Sequence, residues 1–152
     1  MDARIEYGKV ARDGVNALAA VEHYLKDCSL DKPLLDLVML RVSQINGCGV
    51  CMDSHWRELK KAGEGDQRLY QLNAWWELPH YTEREKAALA WAEAVTHITE
   101  GRVPDEVYER ARQHFDEEEL VDLTLAVISI NGWNRMNIAL RNLPRKRQAS
   151  AA

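Results

Sequence analysis

The chain has 152 residues, of which 46% are hydrophobic and 29% are charged, and its formal net charge is −4 with neutral histidines. A chain of this length can bury a sizeable core as one domain, and its apolar content is too high for a disordered protein. The acidic balance argues against nucleic acid as a partner, because binding to phosphates requires a basic surface.

Charged residues interrupt the first 26 positions, whereas a signal peptide needs a continuous apolar core. The most apolar later stretch, residues 123–130, is much shorter than the ~20 residues of a membrane-spanning helix. We therefore expect a soluble, cytoplasmic protein with no membrane partner.

The first half of the chain shows helical periodicity. A first helix is predicted over about residues 10–26. Asp31 and Pro33 form a start signal for a second helix, which is apolar almost all round and is therefore expected to be central and buried. Asn46-Gly47 marks its end. A third helix is predicted from around Cys48 to Ala62, where two glycines interrupt the pattern.

The second half of the chain is also predicted to be helical throughout. Start signals are Asp66 for a short helix to about residue 74, Pro104 for a helix to about residue 114, and two capping boxes formed by Thr82 with Glu85 and by Asp116 with Glu119. The last capping box precedes an apolar helix over residues 120–130, which runs into Asn131-Gly132. Since no alternating strand pattern is present, the predicted fold class is all-α.

An internal repeat is visible at a shift of 85 positions, and it indicates either a duplicated helical unit or a chance match between two buried apolar helices. It aligns Leu35, Leu40, Val42, Ile45, Asn46 and Gly47 with Leu120, Leu125, Val127, Ile130, Asn131 and Gly132. Residues 1–143 are predicted to form a single domain. Residues 144–152, which include Arg145, Lys146 and Arg147, are predicted to be a basic, solvated tail.

The most informative segment contains Cys48, Cys51 and His55. On a helix, residues three or four apart share a face, about 5–6 Å apart at their side-chain roots, so the two thiols can form a disulfide. His55 lies one turn beyond Cys51 and can accept a thiol proton. The segment begins a helix, where unpaired backbone N–H groups stabilise a thiolate.

Three interpretations of this segment remain open on residue types alone. A redox-active dithiol fits a reducing compartment. A zinc site would need a fourth ligand, and no second Cys-x-x-Cys or His-x₃₋₅-His pair is present. Two inert buried cysteines are the third interpretation. No Gly-rich phosphate loop and no acid–histidine metal cluster occurs, so no metal, flavin or nucleotide cofactor is expected.

Residues 40–55, LRVSQINGCGVCMDSH, resemble the signature of AhpD-like alkylhydroperoxidases in the carboxymuconolactone decarboxylase superfamily. The resemblance continues through residues 82–91, TEREKAALAW, and 120–134, LVDLTLAVISINGWN. It implies an all-helical bundle that assembles as a homo-trimer or homo-hexamer. It also implies a peroxidase whose substrate is a hydroperoxide and whose reductant is an outside dithiol, which in the family's prototype is a lipoylated protein.

The resemblance also implies residue roles. Cys51 would attack the peroxide, Cys48 would resolve the resulting sulfenic acid as a disulfide, and His55 would relay protons. The family's relay glutamate falls on Asp36, a shorter carboxylate, and some members carry a histidine where Val50 stands here. Helix-dipole reasoning alone favours Cys48 as the nucleophile, whereas the spacing of His55 and the family pattern favour Cys51.

Two other functions are compatible with the sequence. The superfamily's other branch consists of carboxymuconolactone-decarboxylase-type enzymes, whose chemistry does not need a dithiol. A non-catalytic redox sensor would use the same disulfide only to switch its assembly. Turnover of peroxide with a dithiol reductant separates the enzyme from the sensor.

Overall fold

The computed structural model describes residues 2–144, and within that range the regular structure is entirely helical, which confirms the predicted all-α class. Except for Pro144, the predicted basic tail lies outside the described residues. The helices are α1 (Tyr7–Val10), α2 (Arg12–Leu25), α3 (Lys32–Asn46), α4 (Gly49–Lys61), α5 (Asp66–Tyr70), a 3-10 helix (Leu72–Glu77), α6 (Glu83–Thr96), α7 (Ile98–Gly101), α8 (Asp105–Arg112) and α9 (Glu117–Ala139).

Helix starts follow the predicted capping signals. The Asp31 carboxylate accepts the N–H of Leu34 at 2.8 Å and caps α3. The predicted boxes at the starts of α6 and α9 are both complete, with reciprocal side-chain and backbone hydrogen bonds. The start of α5 differs from the prediction, because Gly65 precedes the helix and no side chain caps it.

The two Asn-Gly pairs of the repeat behave differently. Gly47 ends α3 in the left-handed conformation with φ of 71°, which a residue without Cβ adopts freely. Gly132 lies inside α9, which continues to Ala139. There α2 packs closely on α9, since a Cβ at Gly132 would lie 3.2 Å from Leu18 Cδ1. Packing against α2 and α3 therefore keeps α9 helical through Asn131-Gly132, a pair that locally favours the end of a helix.

Helix α3 is central, as its apolar pattern predicts. It packs against α4, α6 and α9, and α9 in turn packs against α2. One buried cluster contains Val38 and Val42 together with both cysteines of the motif, whereas Leu37 and Leu40 pack on the opposite side with the 3-10 helix and α6. In the described residues, no helix is long and apolar enough to cross a membrane.

A buried polar network joins the two helices of the repeat. Asn46 Nδ2 donates to Asn131 Oδ1 at 3.0 Å and to Asn134 Oδ1 at 2.9 Å. Asn134 Nδ2 donates to Ser43 Oγ at 3.1 Å, and Asn134 is fully buried. Because buried amides need defined partners, this network fixes the end of α3 against α9. It thereby positions the turn that leads into the cysteine motif.

Candidate active site

The turn at Gly47 places Cys48 at the N-cap of α4 and Cys51 in the first turn of that helix. The N–H of Cys48 donates to the carbonyl of Ser43 at 3.0 Å, and its carbonyl accepts from Met52 at 2.9 Å. Both cysteines are free thiols, 1% and 5% exposed, and their sulfurs are 3.0 Å apart. Two thiols held this closely can form a disulfide with little backbone movement.

The surroundings of the two sulfurs favour one thiolate in the pair. The pKa of Cys48 is lowered from 9.0 to about 6, first by the hydrogen bond with the Cys51 thiol and then by the backbone N–H groups of Cys51 and Val50. No other side chain caps α4, so these groups are available to the sulfur. The pKa of Cys51 is raised, because it holds the shared proton and is buried beside the Cys48 charge.

The 3.0 Å contact also allows the shared proton to lie on Cys48. When Cys48 donates to Cys51, the charge lies on Cys51, whose sulfur accepts a hydrogen bond from Asn137 Nδ2 at 3.3 Å. Each sulfur therefore has its own hydrogen-bond donors for a negative charge. Transfer of one proton along the 3.0 Å contact exchanges which cysteine is the thiol and which is the thiolate.

His55 and Asp36 form a second pair, between α4 and α3. The His55 Nδ1 atom is 2.9 Å from Asp36 Oδ1, and Lys32 Nζ is 2.6 Å from Asp36 Oδ2. Lys32 also contacts Glu58 at 3.1 Å. Because an ionised carboxylate only accepts hydrogen bonds, Nδ1 carries the ring hydrogen, and Nε2 is left as a proton acceptor. Asp36 thus orients the imidazole.

A cavity of about 400 Å³ lies over this pair. Its apolar residues are Leu25, Leu30, Leu35 and Met39, and its polar residues are Glu22, Lys26, Lys32, Asp36 and His55. Met39 also belongs to the buried cluster that contains both cysteines, but neither cysteine itself lines the cavity. The volume suits a small organic molecule.

The structure brings the predicted site residues together as two pairs, Cys48 with Cys51 and Asp36 with His55. Among the described hydrogen bonds, none joins His55 to a sulfur. Helix geometry places His55 about 6 Å from Cys51 and about 10 Å from Cys48 along α4.

The sequence analysis did not identify Lys32, Asn137 or Glu22. Lys32 had a local signal, since it is four residues before Asp36 on the same helix and thus at ion-pair spacing. Asn137 and Glu22 come from α9 and α2, so no local spacing pointed to them. Within residues 2–144, no three His, Cys, Asp or Glu side chains are grouped as a metal site.

Comparison with known proteins is consistent with the sequence signature. The family model for the carboxymuconolactone decarboxylase family matches residues 12–94. The uncharacterized protein YdfG of Bacillus subtilis (strain 168) is 44% identical over 142 residues, which covers 93% of this chain and 97% of YdfG. The alkyl hydroperoxide reductase AhpD of Bradyrhizobium sp. (strain BTAi1) is 40% identical over 63 residues, covering 41% of this chain and 26% of that protein.

Among solved structures, protein ATU0492 of Agrobacterium tumefaciens superposes with a TM-score of 0.93 at 38% sequence identity. The match covers 96% of this chain and 100% of ATU0492, which is described as of unknown function and as a candidate antioxidant defence protein AhpD. The chain therefore belongs to the carboxymuconolactone decarboxylase family, as an AhpD-like member.

Proposed function

We propose that this protein is a peroxidase that reduces organic hydroperoxides with the dithiol of Cys48 and Cys51. The observation that carries this function is the 3.0 Å contact between two free, buried sulfurs at the N-terminus of α4. A dithiol in this geometry can supply the two electrons that convert a hydroperoxide to an alcohol, ending as a disulfide. The His55–Asp36 pair and the largely apolar cavity beside it supply a base and a place for an alkyl group.

The first step requires a thiolate on Cys51. The shared proton moves to Cys48, and Cys51, with Asn137 as donor, attacks the terminal oxygen of the peroxide. The O–O bond breaks, an S–O bond forms, and the leaving alkoxide takes up a proton to become the alcohol. Two features favour Cys51 as this nucleophile: its sulfur accepts a hydrogen bond from Asn137, and it is nearer to His55 along the helix.

The second step closes the disulfide. Cys48 attacks the sulfenic acid on Cys51, the S–O bond breaks, and water leaves with the proton of Cys48. The backbone N–H groups of Cys51 and Val50, which lower the pKa of Cys48, favour loss of its proton during this attack.

Re-reduction needs an outside dithiol, and we propose that this reductant attacks Cys51. Cys48 then departs as a thiolate, and the backbone N–H groups of Cys51 and Val50, which lower its pKa, make it the better leaving group. The family resemblance makes a lipoylated protein the first reductant to test. A hydroperoxide, two electrons and two protons then give an alcohol and water for each cycle.

Trapping of the sulfenic acid tests the assignment of the two thiols. Dimedone is expected to label Cys51 in the Cys48→Ser variant after peroxide treatment, while the Cys51→Ser variant stays unlabelled at Cys48. Cys28→Ser serves as the matched control, since Cys28 is a free cysteine outside the pair. Labelling of Cys48 in the Cys51→Ser variant would reverse the roles.

Turnover separates the proposed enzyme from a redox sensor. The wild-type protein is expected to consume many equivalents of cumene hydroperoxide in the presence of a small dithiol. Consumption of one equivalent, together with a change in oligomer size, would instead support the sensor.

A further inference from the structure

The turn after α9 brings Asn142 back onto Asn137, the residue whose amide contacts Cys51. Arg141 adopts the left-handed conformation with φ of 54°, and its N–H donates to the carbonyl of Ile138 at 3.3 Å. The N–H of Asn142 donates to the carbonyl of Asn137 at 2.9 Å. These two hydrogen bonds form a Schellman motif, a common way to end a helix. The motif places the two asparagine side chains together, and Asn142 Nδ2 donates to Asn137 Oδ1 at 2.8 Å.

The N-terminal segment of the chain docks on the same end of α9. The backbone N–H of Arg4 donates to the carbonyl of Leu140 at 2.9 Å, and its guanidinium donates to the carbonyl of Ala139 at 3.0 Å. The ring of Tyr7, in α1, packs against Trp133 of α9 with ring centroids 6.5 Å apart. These contacts bring the Tyr7 hydroxyl group to the asparagine pair.

Tyr7 and Asn142 determine which end of the Asn137 amide faces the sulfur. The Tyr7 hydroxyl donates to Asn137 Oδ1 at 2.8 Å and accepts from Asn142 Nδ2 at 3.2 Å. Asn137 Oδ1 therefore accepts two hydrogen bonds, which is the capacity of an amide oxygen. The Nδ2 group of this buried residue is left to donate to Cys51 Sγ at 3.3 Å.

We propose that Tyr7 and Asn142 are positioning residues, which hold the Asn137 amide with its N–H group directed at Cys51. Their role rests on the proposed peroxidase function, in which Cys51 attacks as a thiolate. An amide N–H stabilises an anionic sulfur more than a neutral thiol, whereas an amide oxygen would stabilise the thiol. Docking of the N-terminal segment therefore completes the surroundings of the attacking sulfur.

The electrostatic surroundings of Cys51 show why a fixed donor matters there. The hydrogen bond with the Cys48 thiol and burial both raise the pKa of Cys51, and the amide groups of Asn137 and Asn134 lower it. Asn134 is held by Ser43 in the network between α3 and α9. Because the Cys51 thiolate is otherwise disfavoured, the donors on α9 determine how readily the shared proton moves to Cys48.

The test measures the pKa of Cys51 without any peroxide. In a Cys28→Ser/Cys48→Ser background, Cys51 is the one remaining cysteine of the chain's three. Its isotope-labelled Cβ is followed by NMR as a function of pH, which reports the thiolate directly and requires no access of a reagent to the buried sulfur. The nearby His55–Asp36 pair is unchanged in this background.

The variants remove the contacts one at a time. Tyr7→Phe deletes the hydroxyl group and keeps the ring against Trp133, Asn142→Ala deletes the second donor, and the double variant deletes both. Asn137→Leu removes the amide itself and gives the full effect of losing this donor to the sulfur.

Tyr24→Phe is the matched control. The Tyr24 hydroxyl also donates a 2.8 Å hydrogen bond, to the buried Asp122, which lies about 22 Å from Asn137 along α9. This control therefore loses a comparable contact of the fold while leaving the surroundings of Cys51 intact.

We expect Asn137→Leu and the double variant of Tyr7 and Asn142 each to raise the pKa of Cys51 by about 1 pH unit, as for loss of one hydrogen bond to a charged group. Tyr7→Phe is expected to raise it by about half as much, and Tyr24→Phe to leave it unchanged. An unchanged pKa in the double variant, or an equal rise in Tyr24→Phe, would overturn the positioning role.

The failure of this role and the failure of the peroxidase can be told apart. If the double variant keeps the pKa of the background while the wild-type protein consumes cumene hydroperoxide, the positioning role is wrong and the peroxidase stands. If the pKa rises as expected but the wild-type protein consumes no peroxide, the positioning of Asn137 is supported and the peroxidase is wrong.

Discussion

At the scale of single residues, Asp36 divides its two oxygens between His55 and Lys32. Asp36→Asn keeps the shape of the side chain but removes the carboxylate that orients His55. We expect peroxide consumption to fall by about 10–100-fold, as is usual when the partner of a functional histidine is lost. Asp36→Glu restores the family's side chain and is expected to remain active. An Asp36→Asn enzyme with the wild-type rate would show that the carboxylate has no part in proton transfer.

The lowered pKa of Cys48 predicts a pH dependence of stability in the reduced protein. Between pH 6 and pH 9 the folded chain has lost the Cys48 proton and the unfolded chain still holds it. Since the unfolded state binds more protons in this window, the free energy of unfolding is expected to rise with pH. Above that window, the raised pKa of Cys51 reverses the trend, because the folded chain then holds the extra proton.

Urea unfolding of the reduced protein across this window measures the effect. The Cys48→Ser variant is the control, and it is expected to lack the rise. If the free energy of unfolding changed with pH in the same way for wild type and variant, the assignment of the low pKa to Cys48 would be contradicted.

At the scale of helices, alanine substitutions at Gly47 and Gly132, the two glycines of the repeat, are expected to affect the free energy of unfolding differently. Gly47→Ala forces a Cβ into the left-handed conformation and is expected to lower the free energy of unfolding by about 1 kcal/mol. Gly132→Ala lies within a helix, where Ala is favoured by up to about 1 kcal/mol, and the nearby Leu18 side chain can shift. We therefore expect no loss of stability there. Urea unfolding measures both variants, and equal destabilisation would contradict the difference between the helix end at Gly47 and the helix interior at Gly132.

The same comparison shows what the sequence could predict. The caps at Asp31, Thr82 and Asp116 were predicted because each acts within four residues. The continuation of α9 through Gly132 was not predicted, because it depends on packing against neighbouring helices. The dithiol spacing is local, but the meeting of Asp36 with His55 was expected only through the family resemblance. Glu22 carries no local signal, because α2 reaches the site only by tertiary packing.

At the scale of the whole molecule, the family resemblance predicts assembly as a homo-trimer or homo-hexamer. Two apolar side chains of α9, Val121 and Ile128, are 60% and 56% exposed and lie two turns apart on one face. We expect this face to contribute to the subunit contact. Sedimentation velocity should give a trimer or hexamer for wild type and smaller species for Ile128→Glu, with Glu109→Gln as the control. A monomeric wild-type protein would contradict this prediction.

The exchange of one peroxide for one disulfide tests the central chemistry most directly. The reduced protein is mixed with cumene hydroperoxide, and both the alcohol product and the bond between Cys48 and Cys51 are quantified by mass spectrometry. One alcohol for each Cys48–Cys51 disulfide, with return of both thiols after addition of a dithiol, is the predicted result. Alcohol formed without this disulfide, or unreacted peroxide beside intact thiols, would contradict it.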